Sequence, residues 1–236
     1  MKILRGLLLA ACLVFGTLPS VAANKKHEKA EKATFVLYGH SAERGIEKHA
    51  LCTAFAYKKV SDGYLLMTAG HCFTPRAPQD ATYLVADGQV TDNPVLQPVE
   101  VLNHIDDGKM DVAELHLKTS KKYPVLELDS SPAKIDDKVF YVGYPEIVSQ
   151  VVFSGRVASN SISSKGPDEE DPCDICIGRF LVQTGGGPGA SGSPIISERT
   201  GKVVGILEGT VYENGIVVVP ATAIEYYYLK EGHSKN

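Results

Sequence analysis

Three short segments of this 236-residue chain hold residue types that can do chemistry together. Gly185-Gly186-Gly187-Pro188-Gly189-Ala190-Ser191-Gly192-Ser193-Pro194 sets one serine among glycines. Such a backbone can fold so that successive N–H groups converge on one point, with the Ser191 hydroxyl beside them. That is the geometry a developing oxyanion needs. Leu65-Leu66-Met67-Thr68-Ala69-Gly70-His71-Cys72 ends an apolar run on a histidine, and Met110-Asp111-Val112-Ala113-Glu114-Leu115-His116-Leu117 puts a carboxylate at the head of another. A serine hydroxyl is a poor nucleophile near neutral pH and needs a base. Imidazole, with an ordinary pKa of about 6.5, can take its proton and return it to a leaving amine. A carboxylate behind the ring fixes the tautomer and stabilises the imidazolium.

Each segment has a plainer reading when taken alone. The glycines could form a flexible loop, His71 could be structural, and Asp111 could merely close a turn after Asp106, Asp107 and Gly108. Flanking strand signals weaken the first of these. A phosphate-binding loop is excluded, since neither a lysine nor a helix follows the glycines.

The elements that must position these residues read as strands. From Thr34 onward, short apolar or alternating runs such as Thr34–Tyr38, Leu51–Tyr57, Tyr64–Thr68, Val112–Leu117, Val139–Gly143, Arg179–Gln183 and Val203–Leu207 are punctuated by Gly, Pro, Asn and Asp. About a dozen such runs predict an all-β sandwich or barrel architecture. Two antiparallel barrels of about six strands each fit the length, over residues 34–125 and 126–236, with the boundary near Tyr123–Lys134. A C-terminal helix is expected over Ala221–Lys230, after Pro220. Residues 24–33 are charged and lack apolar periodicity, which predicts a solvated tail or a short pro-segment.

Residues 1–23 read as an export signal. Lys2 and Arg5 precede an apolar run from Gly6 to Phe15, and Val21-Ala22-Ala23 supplies small residues for cleavage. The run is short for a membrane span. Leu9-Ala10-Ala11-Cys12 offers a rival, a lipoprotein box that would leave Cys12 lipidated. The main expectation is a secreted or periplasmic protein. Beyond Ala23 there remain Cys52, Cys72, Cys173 and Cys176, an even number that suggests two bridges, Cys52–Cys72 and Cys173–Cys176. One zinc held by all four is the alternative, which the strand-like context of Cys52 disfavours. A redox role for Cys173-Asp174-Ile175-Cys176 would need a helix after it, whereas a strand signal follows. A net charge of -4 carries no nucleic-acid signature.

The chain order His71, Asp111, Ser191 is that of the chymotrypsin-like (trypsin-like) serine endopeptidases. Thr68-Ala69-Gly70-His71-Cys72 resembles the family's Thr-Ala-Ala-His-Cys, and Asp111-Val112-Ala113 its Asp-Ile-Ala. Gly189-Ala190-Ser191-Gly192-Ser193-Pro194 resembles its nucleophile segment. The resemblance runs from about Leu51 to Ile224 and implies two packed barrels with the three residues in the cleft between them. It also implies an oxyanion hole from the backbone N–H groups of Gly189 and Ser191, a protein or peptide substrate, and neither cofactor nor metal. A protease-like protein that binds without turnover is the alternative.

Ala190 stands where animal members carry the Asp that pairs with a newly freed N-terminus, so that activation route is closed. In the substrate pocket the resemblance places Gly185 at the floor, which removes a trypsin-like acid, and Thr210 on the wall. Leu207 argues against a glutamyl preference. Glu208 would favour a basic residue if its strand register turns it into the pocket.

Overall fold

The alternating runs close into two barrels, each packing one face inward and the other against its neighbour. The computed structural model describes residues 21–41, 46–73, 81–91, 93–106, 110–162, 178–211 and 214–226. The first barrel is built from β1 (Thr34–Ser41), β2 (Ile46–Val60), β3 (Gly63–Thr68), β4 (Thr82–Asp87), β5 (Gln97–Asp106) and β6 (Asp111–Lys118). Its strands close in the order β1-β2-β3-β6-β5-β4. The second uses β7 (Lys138–Gly143), β8 (Val151–Ile162), β9 (Arg179–Gln183), β10 (Pro194–Ser197), β11 (Val203–Val211) and β12 (Gly215–Pro220). It closes as β7-β8-β9-β12-β11-β10, the same order, with every neighbouring pair antiparallel.

Period-two alternation decides which residues fill which core. Phe35 and Leu37 of β1, with Leu66, Ala113, Leu115 and Leu117, fill the first barrel. Val139 and Tyr141 of β7, with Val182, Leu207 and Val218, fill the second. The intervening residues Phe140 and Val142 point the other way and meet Phe55, Met67 and Val112 in a third cluster that cements the barrels together. Met67 of β3 and Val112 of β6 thus belong to the shared core.

One terminal element differs from expectation. Residues 24–33 are no solvated tail. They belong to α1 (Val21–Ala33), whose Ala30 and Ala33 are fully buried in the inter-barrel cluster. Lys26 Nζ donates to Glu198 O at 2.5 Å and Arg199 O at 3.2 Å, and Gln150 Nε2 donates to Glu31 O at 2.9 Å. The stretch is rich in helix formers, and two alanines three apart let the helix lie close on β7 without a large apolar side chain. The expected C-terminal helix starts on position as α2 (Ala221–Ala223), behind Pro220. Its far end, residues 227–230, lies outside the described residues.

Candidate active site

His71 sits in the 3-10 turn Gly70–Phe73 that leaves β3. The turn presses so closely on β5 that a Cβ at Gly70 would lie 2.0 Å from the Ile105 carbonyl oxygen, so only glycine fits there. The next residue, Cys72, is bonded to Cys52 of β2, with Cα atoms 6.4 Å apart. Both sulfurs are thereby spent, which rules out a zinc held by the four cysteines. Cys173 and Cys176 lie outside the described residues.

Asp111 opens β6 and is nearly fully buried. Its carboxylate grips His71 twice. Oδ1 accepts the His71 backbone N–H at 2.7 Å, and Oδ2 accepts Nδ1 at 2.7 Å. The first bond fixes the turn and the second the ring, leaving Nε2 as the acceptor face. The Asp111 hydrogen bond raises the His71 pKa above its ordinary 6.5; burial opposes this, and the charges of Asp111, Asp106 and Glu208 add to it.

The serine segment has no regular secondary structure and is held by other means. Gly189 and Gly192 have φ of +88° and +87°, in the region where side chains are strained. Space forbids them as well. A Cβ on Gly192 would lie 2.0 Å from Thr53 O, and one on Gly189 would lie 2.6 Å from Tyr144 O. Thr53 of β2 is the main anchor. Its Oγ1 donates to Gly189 O at 2.8 Å and accepts from Tyr144 N at 3.1 Å, while its N–H donates to Ser191 O at 2.8 Å. Gly192 N donates to Leu207 O at 2.8 Å, and Ala190 N to Gly187 O at 3.1 Å. Among the described residues, neither the Gly189 nor the Ser191 N–H meets a protein acceptor. Those are the two donors expected to face an oxyanion.

Gly192 abuts Thr68 and Ala69, so the segment carrying Ser191 lies against the one carrying His71. Ser191 Oγ donates to Glu208 O at 3.2 Å, and among the described residues no hydrogen bond joins it to His71. The hydroxyl rests on β11.

Among the expected pocket residues, Gly185 is tied at its carbonyl to Tyr141 Oη at 2.9 Å, and Thr210 is exposed on β11. Glu208 does not offer a free carboxylate. Arg179 of β9 donates to it through Nε at 2.5 Å and a terminal nitrogen at 2.9 Å. Such a bidentate pair satisfies both oxygens at once. Thr53 and Arg179 were not singled out by sequence reasoning. The one available signal for Thr53 was its place directly after Cys52, and Arg179 had none beyond a lone cation at the head of an apolar strand.

The family model described as "Trypsin-like peptidase domain" matches residues 52–206. No curated protein matches the chain in sequence. Among solved structures, the active form of the Rv3671c protease from M. tuberculosis is 21% identical with a TM-score of 0.65, covering 98% of this chain and 95% of that one. Its inactive form is 21% identical with a TM-score of 0.66, covering 91% and 96%. The serine endoprotease from Yersinia pestis is 19% identical with a TM-score of 0.65, covering 91% and 67%. At such identities the likeness establishes the fold, two closed barrels, and nothing finer.

Proposed function

The chain belongs to the trypsin-like family of serine peptidases, and on that premise we propose that it is an exported endopeptidase working through His71, Asp111 and Ser191. Ser191 Oγ attacks the scissile carbonyl carbon while His71 Nε2 takes its proton. The carbonyl oxygen becomes an oxyanion held by the N–H groups of Gly189 and Ser191, one such donor being worth about 3 kcal/mol. Collapse breaks the C–N bond, and His71 returns the proton to the leaving amine. The Ser191 acyl ester remains. Water, deprotonated by the same imidazole, then releases the acid and restores the serine. Asp111 stays ionised and holds the ring throughout.

The observation that carries this reading is the double grip of Asp111 on His71 beside a serine segment with two unspent N–H donors. A protein or peptide is the substrate such a site would take. Export rests on the leader-like residues 1–23 and on the Cys52–Cys72 disulfide, a bond that persists in oxidising compartments. The test is labelling with a fluorophosphonate. Ser191 should be the sole labelled residue, and Ser191→Ala should lose labelling and casein cleavage while unfolding at nearly the same temperature. An unlabelled wild-type protein would instead favour barrels that bind without turnover.

A further inference from the structure

The residue that donates the scissile carbonyl has a constrained position if Ser191 is the nucleophile, and the preference of its pocket rests on that assignment. Its carbonyl carbon must lie within reach of Ser191 Oγ, with the oxygen at the N–H groups of Gly189 and Ser191. By the resemblance that puts Gly185 at the pocket floor, its side chain enters the space between Gly185–Gly187 on one side and β11–β12 on the other. Three consecutive glycines contribute no side chain to that space.

The opposite wall fills it. Thr210 of β11 and Ile216 of β12 are direct cross-strand partners. A Cβ placed on Gly186 would lie 2.8 Å from Ile216 Cγ2 and 3.0 Å from Thr210 Cγ2, so both methyl groups project against the glycine wall. Ile216 is fully buried and has no room to withdraw. The base is equally set. A Cβ at Gly185 would meet Phe153 Cε1 at 3.2 Å. The Phe153 ring stacks on Tyr141 with centroids 5.2 Å apart, and the Tyr141 hydroxyl bonds the Gly185 carbonyl. Moving this floor would break a ring pair and a hydrogen bond together.

The Glu208 charge is paired, whereas the Glu146 carboxylate lies against Gly187 and adds a negative group on that side. Glu208 is bound bidentately by Arg179, whose side chain is only 8% exposed. A lysine or arginine entering here would find its carboxylate already taken. A glutamate would meet Glu208 and an apolar floor, an unfavourable place for an unpaired anion.

We propose that the protein cleaves after small uncharged residues, of alanine to valine size, with Thr210 and Ile216 setting the size limit and Arg179 cancelling the charge of Glu208. Long or aromatic side chains collide with the two methyl groups, and overpacking of this kind is not absorbed by a packed wall.

The experiment is a peptide series varied only at the residue before the scissile bond, run on protein whose active fraction is titrated with a fluorophosphonate. Alanine and valine substrates should exceed phenylalanine, lysine and glutamate by at least about tenfold in kcat/KM. Thr210→Gly removes the methyl-bearing side chain from an exposed position and should raise the leucine-to-alanine ratio several-fold. Ile216→Ala should do the same, at a cost in thermal stability that the Thr210 variant avoids. Arg179→Met should bring in lysine as a new substrate. A protein that labels normally yet prefers lysine, arginine or phenylalanine overturns the proposal, as does a Thr210→Gly variant with an unchanged ratio. Failure to label at Ser191 overturns the nucleophile assignment itself and is read separately from the preference.

Discussion

His71 and Asp111 stand on the regular framework of one barrel, where a disulfide spanning 20 residues and two hydrogen bonds to one carboxylate fix them locally. Ser191 stands on a segment with no strand of its own, held partly by its own barrel through Leu207 and partly by the other barrel through Thr53. Thr53 supplies three hydrogen bonds across the interface, two through its hydroxyl and one through its N–H. The proposed base and its carboxylate thus depend on local structure, whereas the proposed nucleophile and oxyanion donors depend also on how the barrels dock. The difference teaches where activity is vulnerable without unfolding. Changes on the first side should act through protonation chemistry, and changes at the docking contacts should act through the geometry of the serine.

The largest effect tests the local side. Asp111→Asn keeps the shape but favours the wrong imidazole tautomer, and kcat should fall by about 10⁴-fold with the fold intact. Fluorophosphonate labelling should slow in parallel. In the wild-type protein His71 must be neutral to act as base, and Asp111, Asp106 and Glu208 all favour its charged form. Activity should therefore rise with pH through a midpoint above 6.5, the ordinary imidazole value. Asp106→Asn should move that midpoint down, because one of the raising charges is gone. A kcat/KM profile whose acid limb lies at or below the ordinary value would show that burial outweighs the carboxylates.

A smaller effect tests the docking side. Thr53→Val keeps the backbone bond to Ser191 O but leaves Gly189 O without its hydroxyl donor and Tyr144 N without its acceptor. The loss should be about 10- to 100-fold in kcat, with KM little changed, because the oxyanion donors lose their alignment. Stability should drop by about 1–3 kcal/mol, the cost of buried polar groups left unpaired. Thr53→Ser keeps the hydroxyl and should restore most of the rate. If valine lowers stability alone and leaves kcat untouched, the contrast between the two barrels fails at its main contact.

The strands were legible because period-two alternation is a local signal, and His71 could be set with Asp111 because both sit in segments that resemble a known family's. Val139 to Val142 announce both faces of β7 in four letters. Helix α1 was not legible, because Lys25–Ala33 offers only two small alanines, Ala30 and Ala33, for burial, and their worth comes from a close approach to β7 that no single segment encodes. Thr53 and Arg179 were missed for a related reason. Their partners lie 136 and 29 residues away, and the sequence shows neither the barrel interface nor the bulge that sets Glu208 beside Arg179. The crowding of Gly186 by the Thr210 and Ile216 methyl groups was not legible either, because it depends on the pairing of β11 with β12.

The smallest expected effect concerns the N-terminus, where the contrast between the barrels predicts no change in activity. In animal relatives a freed ammonium pairs with an Asp beside the nucleophile and so organises the oxyanion hole. Here that position is Ala190, fully buried and without a carboxylate, and an unpaired ammonium brought beside it would cost several kcal/mol. The work of organisation is already done from other directions. Thr53 holds Gly189 and Ser191, Glu146 N donates to Pro188 O at 2.6 Å, and Gly192 N is fixed on Leu207 O. Helix α1 reaches the second barrel through Lys26 and the Ala30–Ala33 face, far from any role as an inserted terminus. Protein beginning at Asn24, with or without an added extension ahead of it, should cleave casein at the same rate per labelled active site. Removing α1 altogether should lower the unfolding temperature, since Ala30 and Ala33 leave the shared core, while the rate per labelled site at low temperature is kept. An extended form that stays inert until trimmed would mean that the serine segment needs an N-terminal partner after all, and that the cross-barrel bonds of Thr53 are insufficient to hold it.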